Sequence, residues 1–174
     1  IVELYDTQIN TSTALVGDLL YGILNWNGDQ TIPGTYSHAE GINNVAIGEY
    51  AHAEGQLAQA GGFGSHAEGA QSLAAGNYSH AEGTNAQALG DYSHAEGYDT
   101  RARSDFSHAE GFLTEAGITN DGFSDGAHAE GGNTKALGSL SHAEGTYTTA
   151  LGNGSHAEGT YTTSSGTYSH AEGS

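Results

Sequence analysis

The tetrapeptide His-Ala-Glu-Gly occurs ten times in this chain of 174 residues, and it contains every histidine. Successive copies begin 14 residues apart, except for the step of 20 residues from His108 to His128. A fixed period this short indicates a solenoid, in which equivalent coils stack on one another, and not a globule around one central core. The function of such a chain is expected to belong to an extended surface and not to a cleft.

Each 14-residue coil divides into two halves of seven residues. The first half carries Ser-His-Ala-Glu-Gly, and the second carries a looser x-Ala-x-Gly, as in Gln87 to Gly90. Each half predicts a strand of three to four residues that ends at Gly, because Gly supplies the positive φ that tight corners often need. Two strands per coil make a flattened all-β roll.

Strand alternation then assigns the side chains to faces, because residues i and i+2 share one face of a strand. The motif Ala is expected inside the roll, opposite a second Ala column, while His and Glu project outward together. Large aliphatic residues number about one per coil, too few to offset the roughly 1 to 2 kcal/mol of backbone entropy lost per residue. Self-association is therefore expected. The second-half column comprises Ala46, Ala60, Ala74, Ala88, Ala102, Ala136 and Ala150, with Ser164 as a departure.

The repeated His and Glu predict a contact surface between protomers. Equivalent residues in successive coils should lie about 4.8 Å apart, where two carboxylates repel by roughly 3 kcal/mol at an effective dielectric constant near 20. Each Glu is therefore expected to meet an imidazole, which would raise the pKa of the histidines and make the fold more stable in mildly acidic buffer than at higher pH. The predicted interface ladder comprises His38, Glu40, His52, Glu54, His66, Glu68, His80, Glu82, His94, Glu96, His108, Glu110, His128, Glu130, His142, Glu144, His156, Glu158, His170 and Glu172.

Metal binding is the alternative interpretation of this ladder, because His and Glu brought together by symmetry could bind zinc or nickel. His-x-Glu also opens the zinc deaminase signature, but that chemistry needs cysteine ligands, and the chain has no Cys. Ten identical copies of the motif suit a repeated contact surface better than an active site, because an active site needs a single arrangement of different catalytic residues. We therefore predict neither enzymatic activity nor a cofactor.

The segment Ala88 to Gly97 reads Ala-x-Gly-x-x-Ser-His-Ala-Glu-Gly. It resembles the head repeat of YadA-type trimeric autotransporter adhesins, whose motif Ser-Val-Ala-Ile-Gly recurs at the same period. Asn44 to Gly48 retains the Val-Ala-Ile-Gly of that family motif. The resemblance covers residues 36–174. It implies a trimeric left-handed parallel β-roll with the paired motif side chains toward the trimer interior. The motif is also similar to segments of phage and prophage tail fibres, where this roll forms a shaft or a receptor-binding part.

Two further segments differ from the repeat. Residues 1–34 include an apolar stretch, Ser12 to Trp26, which predicts a cap or neck over the first coil, and residues 35–174 form the ten coils. An insertion of six residues near 117–125 predicts a protruding loop, which is a candidate for partner contact. The loop candidates are Ile118, Thr119, Asn120, Asp121 and Phe123.

Tyr or Phe stands two residues before the motif His in many coils. These aromatic residues predict a stacked ladder at one corner of the roll, and carbohydrate stacking is the functional alternative. They are Tyr36, Tyr50, Tyr78, Tyr92, Phe106 and Tyr168.

Charge excludes some partners. The formal net charge is −18, and Arg101, Arg103 and Lys135 are the only permanent cations, so nucleic acid and anionic membranes would be repelled. No run of residues is long enough to span a bilayer.

The sequence as a whole predicts an extracellular fibre or adhesin module, on a bacterial surface or a virion, that attaches to a glycan or protein receptor. A tail-fibre or tailspike segment with glycan-degrading activity is an alternative, but it requires a pair of catalytic acids. Ice binding by the Thr residues of two successive coils is a third possibility. The acids outside the motif form no evident pair, and they include Asp99, Asp105, Glu115, Asp121 and Asp125.

Overall fold

A computed structural model of the protein describes residues 34–118 and 125–174. Over these residues the chain forms two parallel sheets, stacked as a solenoid of 14-residue coils, which confirms the predicted all-β roll. The predicted cap, apart from its last residue, lies outside the described residues. In the described ranges no helix is long and apolar enough to cross a membrane.

The first sheet contains the ten motif strands, and the second contains nine strands of two residues each. The first sheet comprises β1 His38–Ile42, β3 His52–Gln56, β5 His66–Ala70, β7 His80–Thr84, β9 His94–Tyr98, β11 His108–Phe112, β13 His128–Gly132, β15 His142–Thr146, β17 His156–Thr160 and β19 His170–Gly173. The second comprises β2 Val45–Ala46, β4 Gln59–Ala60, β6 Leu73–Ala74, β8 Gln87–Ala88, β10 Arg101–Ala102, β12 Glu115–Ala116, β14 Lys135–Ala136, β16 Thr149–Ala150 and β18 Thr163–Ser164.

Each strand pairs with the equivalent strand of the next coil, so identical motif residues lie side by side. His94 pairs with His108, and the same register holds across the six extra residues, where His108 pairs with His128. The second sheet also keeps its register there, since Glu115 pairs with Lys135. The extra residues are therefore accommodated between Ala116 and His128 without displacing either sheet.

The interior is filled by small side chains. The motif Ala residues from Ala39 to Ala157 are 2% exposed or less, and so are the facing Ala residues of the second sheet, which confirms the predicted assignment of faces. Sequence analysis missed two further interior columns. One contains the motif Ser, whose hydroxyl donates to a corner carbonyl, as Ser93 Oγ does to Gly90 O at 2.6 Å. The other contains residues such as Thr100 and Thr114, which are also fully buried.

The prediction that Gly ends each strand at a corner is wrong for the motif strand. The second-half Gly, such as Gly90, does lie at the corner after its strand, but without a positive φ. The motif strand runs through its Gly to the next residue, and Gly97 lies inside β9 with φ of 118°. The left-handed corner positions belong mainly to larger residues, such as Tyr92 and Asp99, with φ of 57° and 52°. Gly stays in the strand because in-register pairing brings the backbones of successive coils so close that a Cβ on Gly97 would overlap the carbonyl oxygen of Gly111.

Candidate functional site

The candidate site is the outer face of the first sheet, on which every motif His and Glu lies; we call it the His/Glu face. The alternation of the motif strand places His94 and Glu96 outward and buries Ala95 between them. Because all ten strands pair in register, the structure brings all twenty predicted ladder residues together as two parallel columns.

The imidazoles of the His/Glu face form one continuous stack. Ring centroids of successive histidines are 4.7 to 5.2 Å apart from His38 to His170. Several pairs are nearly parallel, such as His142 and His156, whose planes differ by 4°. The spacing is that of neighbouring strands, so the stack is a direct consequence of register.

Each His of the stack also faces the Glu of its own motif. In nine coils the distance from Nε2 to Oε2 is 3.5 to 4.0 Å, which is too long for a strong hydrogen bond. The Nε2 atoms of most of these histidines are shielded from solvent and have no hydrogen-bond partner among the described residues. The His side chains of the inner coils nevertheless stay about a third exposed. The described part of one chain therefore leaves the sheltered imidazole Nε2 atoms of this face without hydrogen-bond partners.

The predicted rise in histidine pKa is wrong for four members of the stack. Burial is the main cause that lowers the pKa of His52, His80, His128 and His142, and the positive charge of a neighbouring imidazole lowers it further. Nearby glutamates act in the opposite direction but do not prevail. These histidines therefore favour the neutral form, because protonating one places a charge in a partly dry stack beside rings of the same kind.

A glycine-floored groove lies along the last part of the Glu column, from Glu130 onward. It is lined by Glu130, Glu144 and Glu158 and by the Gly that follows each of them. These glycines have φ near 105° and no side chain, so the backbone forms the floor and the carboxylates form the wall. The groove is acidic along its whole length.

The predicted corner ladder of aromatic rings is present from Tyr36 to Phe106, but the predicted member Tyr168 contacts no other aromatic ring among the described residues. Six rings contact one another without a break from Tyr36 to Phe106, with centroids 5.2 to 5.4 Å apart. Sequence analysis missed Phe63, which takes the place left by Gly64 by reaching in from the preceding position. The sequence signal was that Phe63 directly precedes Gly64, and Gly64 stands where the neighbouring coils have their aromatic residue. Tyr92 stacks face to face on both Tyr78 and Phe106, whereas Phe63 meets its two neighbours edge to face. Where both faces of a ring are covered by its neighbours, as for Tyr92, carbohydrate stacking is disfavoured.

The cations lie together on the second sheet. Arg103 and Lys135 both contact the carboxylate of Glu115, at 2.7 and 3.6 Å, and Arg101 contacts Asp99 at 2.7 Å. Sequence analysis did not predict this cluster, although the register of β10, β12 and β14 follows from the period. Two of the acids considered for glycan hydrolysis, Asp99 and Glu115, are therefore held in ion pairs.

Of the loop candidates, the structure describes Ile118, which is half exposed. Thr119, Asn120, Asp121 and Phe123 lie outside the described residues, so their role as a partner-binding loop stays a prediction.

Comparison with known families identifies the repeat. The family described as "YadA head domain repeat" matches in two copies, over residues 67–93 and 129–155. Each copy spans almost two coils, and the two lie on either side of the insertion. No curated protein matches the chain closely enough to count as a relative.

This family consists of surface-exposed adhesin fibres that are generally not enzymes, so the match indicates an adhesin-type fibre module at the cell exterior. The matched segments have the same coil, sheets and register as the rest of the described chain. Two segments of the chain thus match the YadA head domain repeat, and the 14-residue coils of the described residues fit a repeat of that type.

Proposed function

We propose that this chain is the head module of a homotrimeric attachment fibre, in which the His/Glu faces of three protomers pack against one another. The protomers then display the second sheet and the insertion loop to a receptor on a cell or host surface. The proposal places the module outside the cell, on a bacterial surface or on a virion fibre.

The observation that carries the proposal is the contrast between the two sheets. The His/Glu face repeats without a break over ten strands, whereas the outward positions of the second sheet change from Val45 to Leu73 to Arg101. A surface that packs against identical copies must satisfy the same contacts at each level, but a surface that meets solvent or a receptor is free to vary. The sheltered Nε2 atoms, which have no partner among the described residues, are donors or acceptors that a second protomer can satisfy.

The composition of the interior supports association as well. Its largest fully buried side chains are Asn44 and four Thr residues, and the buried apolar side chains are all Ala. Ala buries little apolar area, so each coil gains little from its own core. Seventeen large hydrophobic side chains remain exposed among the described residues, and packing three protomers together would remove part of this surface from water.

The molar mass in solution, measured by light scattering after size exclusion, tests the trimer. We expect three chains per particle. A matched pair of variants tests which face is used: His66→Arg adds one positive charge to the His/Glu face, and Gln59→Arg adds the same charge to the second sheet, where Gln59 is exposed. The His66→Arg trimer should dissociate at about tenfold higher protein concentration, which corresponds to about 1.4 kcal/mol. A monomeric wild type, or equal dissociation of both variants, would overturn the proposal.

Deletion of residues 119–124 tests the receptor contact. It restores the ordinary spacing between Ala116 and His128, and both sheets already keep their register across this point, so the fold should persist. We expect the deletion to retain the wild-type mass and circular dichroism but to lose binding to target cells or to a glycan array. Wild-type binding by the deletion variant would assign the contact to the second sheet instead and refute the role of the loop.

A further inference from the structure

We propose that the His/Glu face binds divalent transition-metal ions, of the class of zinc, at two sites that bridge successive coils. One site consists of His128, Glu130 and His142, and the other of His156, Glu158 and His170. In each set the three potential ligand atoms lie within 4.8 Å of one another. The sites go beyond the attachment function, and each is complete within one chain.

The histidine nitrogens of these sets are available for a metal. Nε2 of His128, His142 and His156 is shielded from solvent and has no hydrogen-bond partner in the described part of the chain. Nε2 of His128 lies 4.0 Å from the Glu130 carboxylate, and Nε2 of His156 lies 3.7 Å from that of Glu158. Two ligands that each lie about 2.1 Å from a tetrahedral zinc are about 3.4 Å apart. Side-chain rotations that move these atoms by well under 1.5 Å therefore close either set around an ion.

The charge and protonation of the face favour the same chemistry. A column of carboxylates at strand spacing repels itself, and a dication between coils offsets that repulsion. Metal binding requires a neutral imidazole, which is the form that predominates for an ordinary histidine at neutral pH.

The donor set selects the class of metal. Two imidazole nitrogens and one carboxylate are borderline ligands that suit zinc, nickel or cobalt(II), whereas calcium and magnesium prefer all-oxygen sites. Three protein ligands leave a fourth position for water or for a group from another protomer.

Zinc titration of the full chain, produced without a histidine tag, tests the proposal. Calorimetry and metal analysis after dialysis should give two zinc ions per chain with a Kd in the micromolar range or below. His128→Gln should remove one ion, and His128→Gln combined with His156→Gln should remove both, with at least a tenfold loss of affinity. The control is His52→Gln combined with His80→Gln, which changes the same stack outside the two sets and should keep both ions.

Each result decides the question. No uptake at about 100 µM zinc, where free ligand would saturate any site of useful affinity, overturns the proposal. Equal loss in the control pair also overturns it, because binding would then be diffuse along the stack. If the double variant does not fold, cobalt(II) bound to the folded wild type decides instead. Intense visible absorption from a tetrahedral site supports the proposal, and the weak absorption of six-coordinate cobalt contradicts it.

The result of the zinc titration can be distinguished from the result of the test for a trimer. The mass in solution tests association, whereas metal uptake measured on the same sample tests the two sites. A monomer that binds two zinc ions would retain this inference and lose the trimer.

Discussion

The substitution Gly97→Ala tests whether the close approach of coils requires glycine in the motif strand. Gly97 has φ of 118°, and an added Cβ would overlap the carbonyl oxygen of Gly111 and lie 3.0 Å from its carbonyl carbon. A non-glycine residue in so sparsely populated a conformation costs about 1 to 3 kcal/mol. Overpacking adds about 1 to 3 kcal/mol more. We expect a loss of about 4 kcal/mol in the free energy of unfolding, which corresponds to a Tm lower by about 8 to 16 °C for a chain of this length.

Thermal unfolding followed by far-ultraviolet circular dichroism, at one fixed protein concentration, measures this loss. Gly132→Ala is the matched control, because Gly132 is the last residue of a motif strand and its added Cβ would meet nothing closer than Thr146 Cγ2 at 4.0 Å. Its φ lies outside the left-handed range, so the control should be unchanged or stabilised by up to about 1 kcal/mol. A Gly97→Ala Tm within about 2 °C of wild type, or an equal loss in Gly132→Ala, would refute the close-approach argument.

Two further predictions concern the stacks. The pKa values of His52, His80, His128 and His142 are lowered in the fold, so the unfolded chain binds more protons than the folded chain below pH 6.5. The Tm should therefore fall as the pH drops through that value. A Tm that rises on acidification to pH 5.5 would contradict this. Tyr92→Gly should be more stable to heat than Tyr92→Ala by about 1 kcal/mol. Both variants lose the stacking of the ring, but only Gly removes the backbone strain of the positive φ at this position. The reverse order of stability would mean that the corner is unstrained.

The period and the alternation were enough to predict the solenoid and its faces. Identical residues recur every 14 positions, so parallel in-register stacking is the arrangement that repeats their environment, and the Ala between His and Glu can only point inward. The twenty ladder residues therefore lie where the sequence predicts them, on one face. Their role between protomers depends on contacts that one chain does not contain.

The corners were mispredicted because conformational preference is a weaker signal than packing. Gly is the residue expected at positive φ, yet Tyr92 occupies such a corner since its ring stacks on Tyr78 and Phe106, and those contacts offset part of the backbone cost. The histidine pKa was mispredicted for a similar reason. Pairing with Glu is visible in the sequence, but the partial burial of each ring against the next is visible only in three dimensions.

In-register pairing makes the length of this module a stepwise quantity. Each added or deleted coil changes the height of the stack by about 4.8 Å and leaves every other level in an unchanged environment. The ten motif strands span about 43 Å on this measure. Duplication of a 14-residue unit thus lengthens the module in fixed increments of about 4.8 Å, so the distance between its two ends is set by the number of repeats.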